Sequence, residues 1–255
     1  MTKKPWGREE SIVAFNLYCK LPFSKIHYKH PEVIELARLF GRTPSSIALK
    51  LVNFASIDPA LKKRNISGMK HISNRDKEIW NEFYDNSENL SYESEVLLSR
   101  FRKEPVEKSA HIDIDTIPSE GKERETLIKA RVNQSFFRSL ILTAYENRCC
   151  ITGLSIPELL VASHIIPWAT DKKNRMSPHN GLCLNMLHDK AFDKGLITIT
   201  PEYRIKISPS LRNLKDKTAL ETFFAPFENS SIRLPQRFIP EKTFLKYHND
   251  KVFRS

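Results

Sequence analysis

Apolar residues recur at intervals of three or four through the first 145 positions, which is the spacing of amphipathic helices. Pro31 in a first helical turn and Gly41 directly after a last turn are typical helix boundaries. The pattern predicts helices over residues 9–18, 31–40, 76–84, 92–102 and 123–145, and another that begins at residues 43–46. The first half of the chain is therefore predicted to be helical.

After residue 145, short apolar segments separated by turns predict β-strands. A hairpin that turns at Pro201 and Glu202 is expected from residues 196–200 and 203–207, and a short helix over 187–193 is expected to end at Gly195. Further strands are predicted at residues 150–152, 161–168 and 180–185. Helices followed by short strands predict an α+β fold.

Two short helices joined by a turn that contains Gly41 are typical of a helix-turn-helix. In that motif the second helix enters the major groove of DNA with its N-terminal residues near the bases. Nearby positive charge at Lys62, Lys63, Arg64 and Lys70 favours this interpretation, and an ordinary helical hairpin is the alternative. The residues predicted to be exposed for DNA contact are Arg42, Ser45, Ser46, Lys50 and Asn53.

Positive charge is distributed in separate blocks along the 255-residue chain, whose 41 Lys and Arg against 30 Asp and Glu give a net charge of +11. The net charge is +5 over residues 1–90, +3 over 131–200 and +5 over 201–255, but −2 over 91–130. The blocks favour a nucleic-acid partner, although a merely soluble basic protein would have the same charge. The acidic, proline-containing part of 91–130 predicts a linker, where Asp113 and Asp115 are either a metal site or solvated loop residues.

The composition argues against several classes of protein. With 7 Gly and no glycine-rich phosphate-binding motif, a nucleotide site of the Rossmann or P-loop kind is not expected. Apolar runs fall short of the ~18–20 residues that cross a bilayer, and the first residues lack the apolar core of a signal peptide. We therefore expect a soluble cytoplasmic protein with no membrane partner. The four Cys do not indicate a disulfide framework.

Three polar residues lie where a β-hairpin followed by a helix would bring their side chains together. His164 lies in an apolar strand, Asn180 begins the next strand and His188 begins the short helix. Metal-assisted phosphodiester hydrolysis needs a His that accepts a proton from water, a polar group that orients it and a ligand for a divalent ion. Taken singly, each residue has a simpler interpretation: a buried core His, or an Asn in a turn.

Together the segments RCCITG (148–153), ASHIIPW (162–168) and NGLCL (180–184), with the following HD (188–189) and FDKGLI (192–197), resemble the HNH nucleases. The closest resemblance is to the branch found in bacterial restriction-type endonucleases. It covers residues 131–205, and the segments 234–238 and 244–248 resemble the tail of that branch. Residues 6–59 are similar to a module often found ahead of such nuclease domains.

The resemblance implies a ββα-metal finger in which each of the three residues has a role. His164 corresponds to the general base, Asn180 to a residue that orients this His or ligates the metal, and His188 to a metal ligand. The implied metal is a single divalent ion, Mg²⁺ or Mn²⁺. Lys172, Lys173 and Arg175 lie in the loop of the finger, where they either contact phosphates or are solvated.

Two departures from the family pattern concern metal ligands. Ser163 stands where many members have an Asp or His ligand, and Asp193, a possible replacement, is expected to point off the helical face of His188. Many members also bind a structural zinc through two Cys-x-x-Cys pairs, but here Cys149 and Cys150 are adjacent, and Thr152 and Asn185 stand where sulfur would be wanted. Structural zinc is therefore not expected. Cys149, Cys150 and Cys183 are expected to be small buried residues.

The resulting hypothesis is a metal-dependent restriction-type DNA endonuclease that acts on double-stranded DNA. Residues 1–90 would form a helical DNA-recognition domain, residues 91–130 a connecting helix and linker, and residues 131–255 the HNH domain with a C-terminal extension. One such site cuts one strand, so double-strand cleavage would need a homodimer. The alternatives are a DNA-binding protein with a decayed, non-catalytic finger, and an HNH nuclease of another defence or toxin system, which includes RNA cleavage.

Overall fold

The computed structural model of the protein describes residues 5–63, 72–213, 215 and 217–255. The chain divides into two compact units, Met1–Leu140 and Ile141–Ser255. No helix within these described ranges combines the length and the apolar character that crossing a membrane requires. The mixture of helices and small antiparallel sheets agrees with the predicted α+β class.

The first unit consists of helices, and the boundaries that the sequence predicts at Pro31 and Gly41 are present. Gly41 adopts the left-handed conformation (φ 62°), and Thr43 caps the next helix by accepting a hydrogen bond from the Ser46 amide. The helices are α1 (Arg8–Lys20), α2 (Pro31–Phe40), α3 (Pro44–Ile57), α4 (Pro59–Lys62), α5 (Asn74–Phe83), α6 (Ser87–Arg102), α7 (Val106–Ser109) and α8 (Lys122–Ala144), whose last turn belongs to the second unit. The helices predicted from the apolar period are therefore present, although α6 begins earlier than expected.

Helix α1 is the centre of the first unit and is buried from residue 10 to residue 19. It contacts α3, α5 and α6, and its Phe15 and Tyr18 meet Phe54 and Trp80 in an aromatic cluster with ring centroids 4.9–6.2 Å apart. Because α6 packs on α1, residues 87–102 are part of this helical unit. The predicted domain boundaries at residues 90 and 130 stay a prediction.

Residues 110–121 follow α7 and contain one short 3₁₀ turn, Ile114–Thr116. Asp113 begins this turn, and its carboxylate accepts a hydrogen bond from the Asp115 amide at 3.1 Å. Both acidic residues are exposed. These contacts favour the solvated-loop interpretation of the pair.

In its described residues the second unit contains two small sheets, each of two antiparallel strands. In the first sheet His164 pairs with Gly181 and Leu160 pairs with Asn185, and the second sheet confirms the predicted hairpin. The strands are β1 (Leu160–His164), β2 (Gly181–Asn185), β3 (Ile197–Ile199) and β4 (Ile205–Ile207), and the helices are α9 (Met186–Asp193), α10 (Pro209–Arg212), α11 (Lys217–Phe223) and α12 (Lys242–Lys251). Helix α9 contacts both β1 and β2, which gives a ββα arrangement.

One strand prediction in this unit is wrong, because residues 150–152 form a tight turn instead of a strand. The Gly153 amide donates to the Cys149 carbonyl at 2.9 Å, and Gly153 has a φ of 75°, which a residue without a side chain adopts readily. The Cys150 amide donates to the Cys183 carbonyl at 2.7 Å. Cys150 is therefore buried, and Ile151 partly buried, by a turn that packs beside β2.

Candidate active site

His164 lies at the end of β1 and is partly buried. Its Nε2 lies 2.9 Å from the carbonyl oxygen of Arg175, and the edge-to-face ring of Trp168 is 5.4 Å away between centroids. A carbonyl can only accept, so Nε2 carries the proton and Nδ1 carries the lone pair of the neutral ring. Burial lowers the pKa of His164 below its ordinary value, although the Arg175 carbonyl and the charge of Asp189 raise it. The ring is therefore suited to accept a proton at Nδ1 near neutral pH.

Asn180 is fully buried and connects the two chain segments that surround His164. Its Oδ1 accepts from the Ile166 amide at 2.8 Å, and its Nδ2 donates to the carbonyls of Ile166 (3.2 Å) and Asn174 (3.4 Å). Ile166 follows His164 by two residues, and Asn174 precedes Arg175. Since its amide is engaged with backbone, the contacts favour the orienting role over the metal-ligating role.

His188 is 3% exposed and has protein partners at both ring nitrogens. Its Nε2 lies 2.9 Å from the Phe223 carbonyl oxygen, and its Nδ1 lies 2.9 Å from Nδ2 of Asn185. The rings of Phe224 and Phe227 pack edge-on against it. The role of His188 as a metal ligand stays a prediction, and in this arrangement neither nitrogen presents a lone pair to a metal.

Asp189 is the next residue of α9, and the negative charge of its carboxylate raises the pKa of His164. The sequence analysis did not assign a role to this residue. Burial raises its pKa, as does the charge of Asp193, while the Ser163 hydroxyl and the charges of Lys190 and His164 lower it. Ser163 is close enough for this effect, although its buried hydroxyl makes no hydrogen bond of good geometry with any described residue. Asp189 and Asp193 are four residues apart and therefore lie on one face of the helix. This spacing is the sequence signal that could have identified the pair.

The donor chemistry around Asp189 suits a divalent ion of the Mg²⁺ or Mn²⁺ kind, because such ions prefer carboxylate oxygens. Among the described residues there is no group of three or more His, Cys, Asp or Glu side chains that would hold a metal ion. Mg²⁺ sites commonly use one or two carboxylates and complete the coordination with water and substrate phosphates. The residues present therefore fit an ion held by Asp189, with Asp193 beside it.

The loop between β1 and β2 is ordered by its own side chains and presents basic residues. Asp171 accepts from the amides of Lys173 (3.0 Å) and Asn174 (3.1 Å), and the Asn174 side chain donates to it at 2.6 Å. Lys172 and Lys173 are exposed. The guanidinium of Arg175 lies over the Trp168 ring at 5.0 Å. Phosphate contact by the two exposed lysines stays a prediction.

Arg42 and Lys50 were predicted to face DNA, and the prediction that they are exposed is wrong. Arg42 pairs with Glu10 at 2.8 Å with its side chain 7% exposed, and Lys50 pairs with Asp76 of α5 with its side chain 3% exposed. The ring of Trp6 packs on both cations, 4.3 Å from Arg42 and 4.6 Å from Lys50. Lys50 is three residues after the buried Ile47, on the inward face of α3. Both cations are neutralised inside the unit.

The other residues predicted to contact DNA lie on or near the outer surface of α3. Ser45 is exposed, and Ser46 and Asn53 are partly exposed. The Asn53 side chain lies 3.5 Å from the Asp76 carboxylate. Lys62 and Lys63 are exposed, whereas Arg64 and Lys70 lie outside the described residues. DNA contact by this helix stays a prediction, but Arg42 and Lys50 no longer support it because both are paired with acidic residues inside the unit.

The positions at which the sequence resemblance would place zinc ligands form a small polar cluster. Cys149 is fully buried, and the Asn185 side chain lies 3.4 Å from the Thr152 hydroxyl. Burial alone raises the pKa of the Cys149 thiol, but hydrogen bonds from His188, from Thr152 and from nearby backbone outweigh it and lower the pKa to about 7. Cys150 and Cys183 are buried, as predicted. His188 thus belongs to this cluster.

Residues 149–200 match a family model described as HNH endonuclease. No curated protein sequence matches the chain. The matched segment contains β1, β2, α9 and β3, and with them His164, Asn180 and Asp189. A ββα arrangement with a partly buried His at the end of its first strand and a carboxylate from its helix agrees with the match. Residues 149–200 are therefore similar to the HNH endonucleases.

Proposed function

We propose that the chain is a divalent-metal-dependent DNA endonuclease of restriction type in which His164 is the general base. The observation that carries the proposal is the hydrogen bond between His164 Nε2 and the Arg175 carbonyl, because it fixes the lone pair on Nδ1. A general base must have a lone pair and a pKa below the working pH. His164 meets both requirements.

His164 accepts the proton of an attacking water at Nδ1 and keeps its other proton on Nε2, which donates it in the hydrogen bond to the Arg175 carbonyl. Trp168 limits rotation of the ring by packing against its edge. Asn180 acts as a positioning residue, because it ties the backbone after His164 to the loop that carries Arg175. The ring is thereby oriented before substrate binds, which reduces the entropic cost of the reaction.

Asp189, whose charge acts on His164, would hold the divalent ion, and Asp193 lies one turn further along the same face of α9. When bound, the ion supplies positive charge that stabilises the negative charge developing on the phosphate. Lys172 and Lys173 bind the flanking phosphates from the loop. Double-strand cleavage requires two such sites, which a homodimer provides.

The test is nicking of supercoiled plasmid in the presence of Mg²⁺ or Mn²⁺, with wild-type protein and His164→Ala. Removal of a general base costs about 10²- to 10⁴-fold in rate, so His164→Ala is expected to nick at a small fraction of the wild-type rate. His179→Ala is the matched control, because His179 lies in the same unit and contacts the Ile239 carbonyl instead of the site. Equal nicking by His164→Ala and wild type would contradict the catalytic assignment.

The same assay separates the alternatives. Plasmids with unmodified, methylated or hydroxymethylated bases test the restriction setting, and a structured RNA tests another substrate class. Cleavage of RNA with no cleavage of any DNA would contradict the proposal. DNA binding without nicking, in both metals, would favour a non-catalytic finger.

A further inference from the structure

Several large apolar side chains of the second unit are exposed to solvent, and the proposed nuclease reaction uses none of them. They come from a short 3₁₀ turn before β1 (Pro157–Leu159) and the residue ahead of it, from the first turn of α9 and from the end of α11. Single apolar residues on a surface are ordinary, but a contiguous group marks an interaction site. The apolar patch consists of Ile156, Leu159, Met186, Leu187 and Phe223, which are 42–57% exposed.

The strand register places three of these residues together. Leu160 pairs with Asn185 at the end of the first sheet. The residues just beyond this pair are Leu159 and Met186, which are therefore neighbours. The Leu159 amide donates to the Ile156 carbonyl at 2.9 Å, and side chains three residues apart in a 3₁₀ turn project from the same side. The three residues thus form one surface at the end of the hairpin.

Helix α9 and the end of α11 extend this surface. Leu187 follows Met186 in the first turn of α9. His188 comes next, and its Nε2 lies 2.9 Å from the carbonyl oxygen of Phe223. Phe223, whose side chain is exposed, therefore lies against the first turn of α9 and completes the patch.

The area of the apolar patch suits a protein partner. Large side chains of this kind, each about half exposed, together present on the order of 400 Å² of apolar surface. A standard protein–protein interface buries about 800 Å² on each partner, and roughly 56–65% of that area is apolar. The patch therefore supplies most of the apolar part of one such interface, and polar residues around it supply the rest.

The edge of the apolar patch carries charges of both signs. Glu158 lies in the 3₁₀ turn next to Leu159, and Lys190 lies one turn of α9 after Met186. Both are exposed, and in the part of the chain that the structure describes neither forms an ion pair. DNA carries only negative charge, so it would be repelled by Glu158 and would leave the apolar side chains uncovered.

A second copy of the same patch fits this distribution of groups. A two-fold symmetric contact places one surface against itself, so that surface must carry both members of every pair. The apolar patch meets this condition, because its apolar centre can cover itself and its edge has both Glu158 and Lys190.

We propose that the apolar patch is the interface of a two-fold symmetric dimer of this chain, in which Glu158 of one copy faces Lys190 of the other. The inference rests on the proposed function in one respect, because cleavage of both strands needs two nuclease sites. Met186 and Leu187 belong to the helix that carries Asp189, so the contact holds the two sites at a fixed separation. Each copy then cuts one strand of a bound duplex.

The test is sedimentation velocity of the full chain and of variants that place a charge in the patch. Interfaces of this size have dissociation constants from micromolar to picomolar, so wild type is expected to be a dimer at about 10 μM. Met186→Glu buries an unpaired charge in each copy and is expected to weaken the dimer at least about tenfold. Ile114→Glu, at an exposed apolar position of the first unit, is the matched control and should dimerise as wild type does.

Two results would overturn the interface. One is a wild type that is monomeric at about 100 μM, and the other is an unchanged dissociation constant in Met186→Glu. Circular dichroism shows whether Met186→Glu is folded, and if it is not, Leu159→Lys gives the same test from the other side of the patch.

A charge exchange tests whether the patch contacts itself. Glu158→Lys places like charges opposite each other and is expected to weaken the dimer about threefold or more. Adding Lys190→Glu to Glu158→Lys restores an opposite pair and should recover the wild-type dissociation constant. Sedimentation is the readout, because the charge of Lys190 also lowers the pKa of Asp189. A double variant that dimerises no better than Glu158→Lys would refute the pairing.

Plasmid cleavage separates failure of the interface from failure of the proposed function. Met186→Glu is expected to nick supercoiled plasmid as wild type does but to produce at least about tenfold less linear product, whereas His164→Ala should dimerise normally and cut neither strand. A dimeric wild type that cuts no nucleic acid would contradict the proposed function and leave the interface standing. Nicking by a wild type that stays monomeric would contradict the interface and leave the function standing.

Discussion

The Nε2 of His164 donates a hydrogen bond of 2.9 Å to the carbonyl oxygen of Arg175, eleven residues further along the chain. The acceptor is a backbone atom, so a substitution of the Arg175 side chain leaves it in place. The loop between β1 and β2 positions this carbonyl. Asp171 orders the loop by accepting a hydrogen bond from the Asn174 amide, and the Asn180 side chain holds it by donating to the Asn174 carbonyl. The tautomer of His164 thus depends on a loop conformation.

The first prediction concerns the pH dependence of cleavage. A general base acts only when neutral, and burial lowers the pKa of His164 from the ordinary value of 6.5. Activity is therefore present above this lowered pKa and is lost as the pH falls through it, with a midpoint below 6.5. A bound divalent cation shifts the midpoint in the same direction. The measurement is kcat/KM for a short duplex between pH 4.5 and 8, and an acid midpoint above 7 would argue against His164 as the base.

The second prediction concerns Asp189. Asp189→Asn keeps the size of the side chain but removes the charge, so it is expected to weaken Mn²⁺ binding about 10- to 100-fold. The loss in cleavage should be partly recovered at high Mn²⁺ concentration. Electron paramagnetic resonance of free Mn²⁺ measures the affinity. Asp250→Asn, on α12 of the same unit, is the control, and an equal loss in both variants would refute a specific role for Asp189.

The difference between His188 and Asp189 shows what the sequence could and could not predict in the site. The β-hairpin, the helix after it and the positions of His164 and Asn180 follow from apolar runs and turn residues, which depend on local sequence. Which residue of α9 faces His164 depends on the rotation of the helix over the hairpin. Asn185 caps α9, and His188 bonds to Asn185 and to the distant Phe223 carbonyl, so the helix presents Asp189 towards His164. No local pattern encodes the Phe223 contact.

A similar limit applies to Arg42 and Lys50 in the first unit. The helical period predicts α2 and α3 correctly, but charged residues are assigned to the outside by default. The acidic partners Glu10 and Asp76 are 32 and 26 residues away in the sequence, and only the packing of α1 and α5 reveals them. In the sequence, a buried ion pair shows only as a charged residue on the apolar face of a helix. Lys50 is such a residue, because it lies on the same face of α3 as the buried Ile47 and Phe54.

The third prediction concerns Asn180 as a positioning residue. Asn180→Ala leaves the buried amide and carbonyl of Ile166 without their partners, so the free energy of unfolding is expected to fall by about 3 kcal/mol. Urea denaturation measures this change. At a temperature where the variant is folded, kcat should fall about 10- to 100-fold with little change in KM, because the base is misplaced while substrate binding is intact. A variant that loses stability alone would show that Asn180 does not position the base.

The fourth prediction concerns phosphate contact by the loop. Each phosphate contact contributes about 0.9 to the slope of log Kd against log salt concentration. Lys172→Ala combined with Lys173→Ala should therefore lower the slope for a DNA duplex by about 2, without a change in thermal stability. Lys108→Ala, which removes an exposed lysine of the first unit, is the control and should leave the slope unchanged. An unchanged slope in the double variant would mean that these lysines are only solvated.

The fifth prediction concerns stability in acid and rests on His248 of α12. His248 is 1% exposed, its Nδ1 lies 2.8 Å from the Thr198 hydroxyl and its ring stacks on Phe192. Burial lowers its pKa to about 4, against about 6.5 when unfolded, so below 6.5 the unfolded state binds more protons. The stabilisation by neutral His248 is complete above pH 6.5 and is lost as the pH falls towards 4. Between pH 7 and pH 5 this loss amounts to about 2 kcal/mol of the free energy of unfolding.

His248→Gln keeps a donor and an acceptor but does not titrate, so it isolates the effect of the ring. We expect urea denaturation of wild type to show the fall between pH 7 and pH 5, and His248→Gln to show about 2 kcal/mol less of it. His27→Gln, at an exposed position of the first unit, should behave as wild type does. Because α12 packs on β3 and His248 on Phe192 of α9, acid unfolding of this contact would also release the helix that carries Asp189. Cleavage activity in wild type would then fall with the unfolding transition at low pH and recover on return to pH 7 only as fast as the chain refolds, whereas loss through protonation of His164 alone would recover at once.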